Sequence, residues 1–349
     1  MPVKDVIAVD FGTTNSYFCK CPGDQATPVG IDFGDGKDGL ATAILYRDGK
    51  TPLVGNTALE EFGEATAQNR RAYRLRVHFK PDIARSEDAR ESAVVFLATI
   101  LGEAESQYLD LRPDGRHVIF GVPSEADDEF RAALKGLTSQ AGFGTVEMID
   151  EPKGALFYHV EHKDIPAEQA LKGVLAIDFG GGTCDFSFLL RGEVRNSWGD
   201  MELGGRLFDD MFFQWFLDEN PAALDAVRAD GSEYFVHSYL CREVKEYFSR
   251  QMTRDRSESL NKMVGHYGRM RGMTWTKFVG RARSYVPSKT FRDYQESVDA
   301  LGERLRNAST DEPIDLIEWF RTALFDGIRE EEVDKSDIRW VILAGGSSQ

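Results

Sequence analysis

Hydrophobic runs that end in Asp-Phe-Gly occur twice in the chain and form its most regular pattern. One run precedes Asp10, and the other precedes Asp178. A short apolar run bounded by glycine predicts a buried β-strand. A second strand pattern follows each glycine turn, over residues 15–19 and 184–190. Each copy therefore predicts a strand, a glycine turn and an antiparallel second strand, and two copies predict two lobes of similar construction.

Strand and helix patterns alternate between the two repeats. Residues 116–122 are strand-like, and a helix opens directly after them, with Ser124 and Asp127 as a capping box. A short strand over residues 145–149 precedes a second helix that begins at Glu151, where the following proline suits the first helical turn. This alternation predicts the α/β class.

The pattern after the second repeat is mainly helical. A turn at Gly204-Gly205 leads into a helix-rich region, and residues 290–306 and 313–327 show helical periodicity. The stretch from 250 to 290 is rich in Arg, Met and Gly, is weakly periodic, and is interpreted as an added element. A buried-strand pattern over residues 340–344 runs into a final glycine turn.

The length of 349 residues suits two large lobes. We expect a first lobe over residues 1–172 and a second over residues 173–349. The net charge of −16 disfavours nucleic acid and anionic membranes as partners. No run approaches the roughly 18 apolar residues of a membrane span, and the four cysteines form neither a disulfide framework nor a zinc motif. A cytoplasmic location is expected.

The two glycine turns carry the main candidate chemistry. Amides of a glycine-rich hairpin can converge on one anion because no bulky side chains intervene. The candidate phosphate-binding residues are Gly12, Thr13, Thr14 and Asn15 in the first turn, and Gly180, Gly181, Gly182 and Thr183 in the second. Either turn alone could be an ordinary tight turn, whereas two facing turns favour phosphate binding.

Asp10 and Asp178 each end an apolar strand, where an unpaired carboxylate is costly to bury. They could cap the turn amides. Alternatively they hold a hydrated Mg²⁺, which reaches proteins through one or two carboxylates together with substrate phosphates. The duplicated turns favour the magnesium site.

Five separated motifs resemble, in their order, the nucleotide-binding domain of the DnaK-like heat-shock chaperone family. They are Val9 to Ser16, Ile149 to Ala155, Ile177 to Ser187, Leu203 to Asp210, and Leu343 to Ser348. The resemblance implies a two-lobed actin-like ATPase fold, built from duplicated ribonuclease H-like domains with a nucleotide cleft between the lobes. It also implies ATP or ADP, Mg²⁺ and K⁺ as ligands.

The resemblance implies roles for individual residues. Those implied to be catalytic are Asp10, Lys80, Glu151, Asp178 and Thr183, with Asp10 and Asp178 arranging the metal. Those implied to bind nucleotide or its cation, besides the glycine turns, are Asp185, Gly204, Gly205, Lys245, Ser249, Gly345, Gly346 and Ser347. Lys80 is the candidate for the lysine that reaches the γ-phosphate, although the cation-rich run from Arg70 to Lys80 could instead be a solvated basic patch.

Three positions depart from the family pattern around the adenosine. Arg242 stands where the family usually has glutamate, and Glu246 and Gln349 stand where it usually has arginines. An arginine stacked on adenine contributes on the order of 1 kcal/mol. The departures predict weaker selection of adenine.

The function predicted from the sequence is that of an ATP-binding, slowly ATP-hydrolysing chaperone module whose nucleotide state switches lobe closure. An actin-like filament protein is the alternative, and a small-molecule kinase of the same fold is a third candidate. The resemblance implies a co-chaperone or nucleotide-exchange partner. The chain stops at the last motif, so no client-peptide domain is expected within it.

Overall fold

A computed structural model describes residues 5–21, 28–33, 39–106, 116–124, 126–293 and 301–345. Its strands are β1 (Val6–Phe11), β2 (Asn15–Cys21), β3 (Val29–Gly30), β4 (Leu40–Ala41), β5 (Ala43–Tyr46), β6 (Leu53–Val54), β7 (Arg74–Val77), β8 (His117–Val122), β9 (Val146–Asp150), β10 (Val174–Phe179), β11 (Cys184–Leu190), β12 (Glu193–Asp200), β13 (Leu260–Val264), β14 (Gly268–Met273) and β15 (Trp340–Ala344).

The α-helices in these ranges are α1 (Gly55–Glu64), α2 (Ala67–Ala72), α3 (Glu87–Ser106), α4 (Asp128–Gln140), α5 (Glu151–Glu161), α6 (Ala167–Ala170), α7 (Gly205–Glu219), α8 (Ala223–Asp230), α9 (Glu233–Phe235), α10 (Cys241–Arg254), α11 (Trp275–Ala282), α12 (Lys289–Asp293), α13 (Glu303–Asn307) and α14 (Leu316–Glu330). A π-helical segment, Val236–Leu240, joins α9 to α10. Among the described residues, no helix has the length and apolar character required to cross a membrane.

The two Asp-Phe-Gly repeats form the centres of two separate sheets. In the first sheet the strand order is β3-β2-β1-β8-β9, with β4 also paired to β2. In the second the order is β12-β11-β10-β15. In both sheets the repeat is an antiparallel hairpin, β1–β2 or β10–β11, and its first strand also pairs with a parallel strand, β8 or β15. The predicted α/β class and both predicted hairpins are confirmed.

The shared topology places the glycine turns at equivalent positions. The register pairs Phe11 with Ser16 in the first hairpin and Phe179 with Cys184 in the second. Asp10 and Asp178 therefore lie at the carboxyl ends of their strands, directly before the turns. In α/β sheets ligands bind at these carboxyl ends.

Each large sheet packs helices over its own hydrophobic core. Phe11 and Phe96 stack in the first core at a centroid distance of 5.9 Å. Phe212 and Phe248 meet edge-on in the second at 5.5 Å. The first sheet lies within residues 6–150 and the second within 174–344. The lobe boundary at residue 172 lies between them and stays a prediction.

The two halves of the chain also contact each other away from the two large sheets. Phe235 packs against the cluster of Leu45, Ala58 and Phe62, and Tyr239 packs in a neighbouring cluster with Leu59. The strands β5–β7 and helix α1 thus contact the segment from α9 to the π-helix. We call this the upper contact.

Buried Arg70 reinforces the upper contact. Its guanidinium donates to the carbonyl oxygens of Phe62, Gly63 and Ala65 at 2.8, 2.7 and 2.6 Å. It also lies 3.3 Å from the Asp230 carboxylate. Because Arg70 belongs to α2 and Asp230 to α8, this side chain connects elements from both halves.

Several predicted elements differ in their bounds. The helix expected at Ser124 is α4, which begins at Asp128, because the Asp127 carboxylate accepts the amide hydrogen of Phe130 as N-cap at 2.7 Å. The helix expected over residues 290–306 is interrupted, since residues 301–302 are not helical and Gly302 is the N-cap of α13. The stretch 250–290 forms the hairpin β13–β14 and helix α11, a hairpin that the weak periodicity did not indicate.

Asp210 is a fully buried carboxylate that holds the helical part of the second half together. It accepts hydrogen bonds from His237 Nε2 at 2.9 Å, Tyr285 Oη at 2.8 Å, and the amides of Ser288 and Gln214, both at 2.9 Å. Burial raises its pKa, but the hydrogen bonds and charge of His237 and the Ser288 bonds outweigh burial, so the pKa of Asp210 is lowered. The ionised form is the one that the fold stabilises.

We expect Asp210→Asn to lower the free energy of unfolding by about 1–3 kcal/mol, because an amide nitrogen would face the buried donors that now point at a carboxylate oxygen and would leave them unsatisfied. Since the folded-state pKa is below its ordinary value, the wild-type advantage should be present at neutral pH and disappear as the pH falls through that lowered pKa. Urea unfolding at several pH values measures this effect. Asp225→Asn, at an exposed site on α8, is the control; equal stability of the two variants would contradict the prediction.

Candidate functional site

The first glycine turn, residues 12–15, is braced by Thr42. The Thr42 amide donates to the Thr14 carbonyl, and the Thr42 hydroxyl donates to the Gly12 carbonyl, both at 2.8 Å. Gly12 is required because a Cβ there would collide with the carbonyl oxygen of Asn15, the first residue of β2. The turn is therefore held tightly, and the side chains of Thr13 and Thr14 project from a fixed backbone.

The second glycine turn, residues 180–183, is held against the start of α7. The Gly180 amide donates to the Thr183 carbonyl at 2.9 Å, which closes the turn. The amide of Gly205 donates to the Gly180 carbonyl at 2.9 Å. Gly204 packs so closely on the backbone of Gly182 that no Cβ fits between them. The Gly204-Gly205 turn thus acts as a support for the second glycine turn.

The two turns meet at the cleft. Gly181 lies against Thr14, because a Cβ at position 181 would collide with Thr14 Oγ1. Gly182 faces the Thr13 methyl group, which would lie 3.7 Å from a Cβ at that position. Thr14 Oγ1 is buried and has no hydrogen-bond partner among the described residues. A buried orphan hydroxyl between two glycine turns is suited to a polar ligand.

Three carboxylates converge below the turns. Asp10 and Asp178 end strands β1 and β10, and Glu151 begins α5, directly after β9. Glu151 packs across Gly121, where a Cβ would lie 3.2 Å from its Cγ. We call Asp10, Glu151 and Asp178 the cleft carboxylates.

The cleft carboxylates repel one another. Asp10 is exposed to solvent, yet its carboxyl group is densely surrounded by protein atoms. Desolvation and the charge of Glu151 raise the pKa of Asp10 to about 7. Desolvation, followed by the charges of Glu151, Asp10 and Asp185, raises the pKa of Asp178 to about 7 as well. At neutral pH the site is therefore short of positive charge.

Lys80 supplies the nearest compensating charge. It is 6% exposed, and its Nζ lies 3.2 Å from Glu151 Oε1. Burial lowers its pKa, but the charges of Glu151, Asp10 and Asp178 outweigh burial, so the pKa of Lys80 is raised and the ammonium persists. Lys80 does not lie in a solvated basic patch. Its contact with the γ-phosphate stays a prediction.

The carboxylates of Asp10 and Asp178 suit Mg²⁺ better than they suit a metal ion whose ligands all come from the protein. Among the described residues, no group of three His, Cys, Asp or Glu side chains is placed to hold a metal ion. Asp10 and Asp178 offer two oxygen donors with unfavourable mutual charge, which suits an ion completed by waters and phosphates. Thr183 Oγ1 donates to Asp185 Oδ2 at 2.8 Å, so Asp185 orients the end of the second turn.

The predicted adenosine side is only partly described. Gly345 has a positive φ of +82° and packs against the Asp178 carboxylate, whereas Gly346, Ser347 and Gln349 lie outside the described residues. Lys245 is buried; its Nζ lies 2.7 Å from Asp209 Oδ1 and donates to the Gly205 carbonyl at 3.4 Å.

Helix α10 carries the remaining predicted adenosine residues. Ser249 lies one turn after Lys245 on α10, and its carbonyl accepts a bond from Thr253 at 2.9 Å. The Arg242 guanidinium lies over the Tyr239 ring at 5.6 Å and 3.9 Å from Glu246. The nucleotide contacts of Lys245 and Ser249 stay predictions.

Sequence reasoning missed residues that complete the cleft. Thr42 braces the first turn, yet a lone threonine between two short strands carries no sequence signal. His78 lies two residues before Lys80 with a left-handed φ of +56°, which is uncommon outside glycine. Arg206 directly follows Gly204-Gly205, and its amide donates to the Gly181 carbonyl at 2.8 Å. The position of Arg206 next to the predicted Gly204-Gly205 turn was the only sequence signal for these missed residues.

The raised pKa of Asp178 leads to a stability prediction. Its ordinary value is 3.8, so the folded protein without ligand loses stability as the pH rises from about 4 through 7, where this carboxyl ionises. Asp178→Asn removes that charge without changing the shape. We expect the variant to be more stable than wild type at pH 8, by about 1–2 kcal/mol in a solvent-accessible cleft, and similar at pH 4.

Thermal unfolding of nucleotide-free protein across this pH range measures the difference. Asp82→Asn, at an exposed aspartate outside the cleft, should show no such pH-dependent gain. A variant at position 178 that is destabilised at pH 8 would contradict the electrostatic explanation.

A family model described as Hsp70 protein matches residues 88–257. The match extends from α3 to just beyond α10, and it includes Glu151, the second glycine turn and the Gly204-Gly205 support. The Hsp70 family has ATPase activity in general, and the match does not favour the filament alternative. Together with the paired hairpins in two sheets, it confirms the predicted fold. Over residues 88–257, which are just under half of the chain, the sequence is similar to the Hsp70 family; the match is consistent with a two-lobed actin-like ATPase fold and supports an ATP-binding module of the Hsp70 chaperone type.

Proposed function

We propose that this chain binds ATP with Mg²⁺ in the cleft and hydrolyses it slowly to ADP and phosphate. The observation that carries the proposal is the convergence of both glycine turns, the cleft carboxylates and Lys80 at one place. The contact between Gly181 and Thr14 brings turns that are more than 160 residues apart in sequence against each other. Neither half alone provides this arrangement.

The phosphates would lie between the turns. The backbone amides of residues 12–15 and 180–183 are partly used within the turns, and the remaining amides and the hydroxyls of Thr13 and Thr14 are suited to phosphate oxygens. The orphan Thr14 hydroxyl supports this placement because phosphate would give it a partner.

Hydrolysis requires an oriented water and compensated charge rather than a covalent intermediate. Glu151 would accept a hydrogen bond from the attacking water. The 3.2 Å ion pair with Lys80 holds the carboxylate in place, and the Lys80 ammonium would lie beside the transferred phosphoryl group. Thr183, held by Asp185, would orient a hydroxyl toward the same oxygens.

Bound Mg²⁺ would neutralise phosphate charge, with Asp10 and Asp178 as the residues that hold its hydrated shell. The raised pKa values of both side chains indicate sites that gain from an added cation. A monovalent cation such as K⁺ would have Asp185 as its nearest carboxylate partner.

Nucleotide binding would also favour closure of the lobes. Lys80 belongs to the first half, and the Gly204-Gly205 support belongs to the second, so a nucleotide that contacts both stabilises the closed arrangement. The upper contact at Arg70 and Asp230 would open and close with it. Co-chaperone interaction is general in the family, and a partner that changes nucleotide exchange would act on this closure.

We expect Lys80→Met and Asp178→Asn each to lower the ATP turnover rate by about a hundredfold or more, because each removes a charge placed for the transition state. The folded structure should be retained. Phosphate release from Mg-ATP under saturating nucleotide measures the rate. Lys262→Met, at an exposed position on β13, is the control. Turnover within twofold of wild type in either cleft variant would exclude that residue from the mechanism.

We expect ATP and GTP to bind with affinities within about tenfold of each other. Arg242 lies over Tyr239, and Lys245 is paired with Asp209, so neither side chain stacks on a base in this structure. Phosphate and metal contacts should therefore dominate binding. Calorimetric titration with both nucleotides, in magnesium and potassium, measures the ratio. Strong selectivity for ATP would show that another side chain holds the adenine.

A further inference from the structure

The hairpin β13–β14 and the segments on either side of it form a basic region in an acidic chain. Residues 250–283 contain nine Lys and Arg residues against two Asp and Glu residues, whereas the whole chain contains 42 against 58. A chain of net charge −16 does not need a local excess of the opposite charge to stay in solution. The region is therefore a candidate contact surface for an anionic partner.

The hairpin has one buried face and one exposed face. Val264 of β13 and Met270 of β14 are buried, and the two strands pack against α10 and α7. Met263 and Arg269 are direct partners in the register, both are exposed, and Arg269 Nε lies 3.3 Å from Met263 Sδ. Because side chains alternate between the faces of a strand, the exposed Arg271 lies on the same face as Arg269.

Two more cations lie where β14 leads into α11. Lys277 Nζ is beside Gly272, where a Cβ would lie 3.4 Å from it. The Arg256 guanidinium lies over the ring of Trp275, the first residue of α11, at 4.5 Å from its centroid. The four exposed cations of this surface are Arg256, Arg269, Arg271 and Lys277, and we call them the basic face.

The basic face has no carboxylate within ion-pair distance in the part of the chain that the structure describes. Glu219 accepts the backbone amide of Arg271 at 2.7 Å, not its guanidinium. Asp255 accepts the amide and hydroxyl of Ser257 at 2.8 and 2.7 Å. Glu258, the other acidic residue of the segment, is exposed, and solvent screens its charge. The four cations are thus available to carboxylates from another molecule.

The backbone under the basic face is held by the two helices below it. Asn220, directly after α7, donates from Nδ2 to the Arg269 carbonyl at 3.2 Å and accepts the Arg269 amide at 3.4 Å. Lys262 lies over the Tyr247 ring of α10 at 5.2 Å, on the side opposite Arg269. None of these bonds uses a side chain of the basic face. A ligand would therefore order side chains but would not have to order the strands.

We propose that the basic face binds an extended acidic segment of a partner protein, with one apolar side chain of that segment packed on Met263. Guanidinium groups bind carboxylates through paired N–H donors, and three of the four cations are arginines. Met263 is 46% exposed beside Arg269. A methionine side chain adapts its shape to different apolar partners. The proposal does not rest on the nucleotide chemistry of the cleft.

The combination of arginine with exposed methionine favours a protein partner over other polyanions. Arg and Met are both enriched in protein–protein interfaces. A nucleic-acid duplex or an anionic bilayer presents charge over a larger area than the basic face, so it would also meet the acidic remainder of the chain. A short peptide avoids that repulsion and can place an apolar residue among its carboxylates.

Fluorescence anisotropy with a labelled synthetic peptide, in which Asp and Glu residues surround one leucine, tests the basic face on nucleotide-free protein. We expect wild type to bind with an affinity that falls as salt rises. Arg269→Gln/Arg271→Gln should bind about tenfold more weakly. Arg321→Gln/Arg329→Gln removes the same charge from exposed positions on α14 and is the matched control, so it should bind as wild type does.

Two single variants separate the charged contacts from the apolar one. Met263→Gln should weaken binding without changing its salt dependence, because it removes an apolar contact and no charge. Lys277→Gln should weaken binding and reduce the salt dependence. Since Lys277 lies on α11 rather than on the hairpin, this variant keeps the test decisive if the double variant of β14 fails to fold.

Three results would overturn the proposal: equal peptide affinity in the two double variants, equal binding of a peptide with Asn and Gln in place of Asp and Glu, or a dissociation constant above about 1 mM at low salt. A single-stranded thymidine oligonucleotide and vesicles of phosphatidylserine with phosphatidylcholine are titrated in parallel. If either binds through the basic face and the acidic peptide does not, the proposed class of partner is wrong.

Discussion

Repulsion among the cleft carboxylates is the constraint on which the rest of the site depends. Asp10 and Asp178 are fixed to the ends of central strands, and Glu151 is fixed at the first turn of α5, so none of them can move away. Lys80 offsets only part of the charge, as the raised pKa values of both aspartates indicate. Protonation or the arrival of a cation relieves the repulsion, and separation of the halves relieves the part that involves Asp178. Ligand binding and closure are therefore energetically linked through the same groups.

The two glycine turns meet above this acidic floor, with Thr14 contacting Gly181. On the proposed function, a polyphosphate along the turns would face backbone amides and threonine hydroxyls on one side and the cleft carboxylates with Lys80 on the other. Local arrangement outweighs net charge at these distances, so a chain of net charge −16 can provide a site for an anionic ligand.

The sequence was sufficient to predict the features that depend on local pattern. Both hairpins, the last strand and the helix at Glu151 follow from apolar runs, glycine turns and a proline in the first turn, and the structure confirms them. The start of α4 was misplaced because Ser124 and Asp127 both fit a cap, and only the backbone geometry selects Asp127. The hairpin β13–β14 was missed because its buried residues do not alternate regularly around its irregular register.

Features that depend on contact between distant segments could not be predicted. His78, Arg206 and Arg242 are spread over more than 160 residues, and only tertiary packing brings them to one cavity. The pairing of Arg70 with Asp230 is equally distant in sequence. Single charged residues carry no periodic signal, so their partners are found only when the fold is known.

Helix α7 shows how these distant parts act as one unit. Its first amides bind the second glycine turn, at Gly180 and Gly181, and Asp209 on its second turn holds Lys245 of α10. The next residue, Asp210, binds His237 in the π-helical segment that packs against the first half.

These bonds are short, and the Asp210 network is buried, so the second turn, α10 and the π-helical segment cannot move separately without breaking them. A shift of the second glycine turn would therefore be carried by α7 to the upper contact. On the proposed function, the lobe arrangement would respond to nucleotide through this one helix rather than through a diffuse rearrangement of the core.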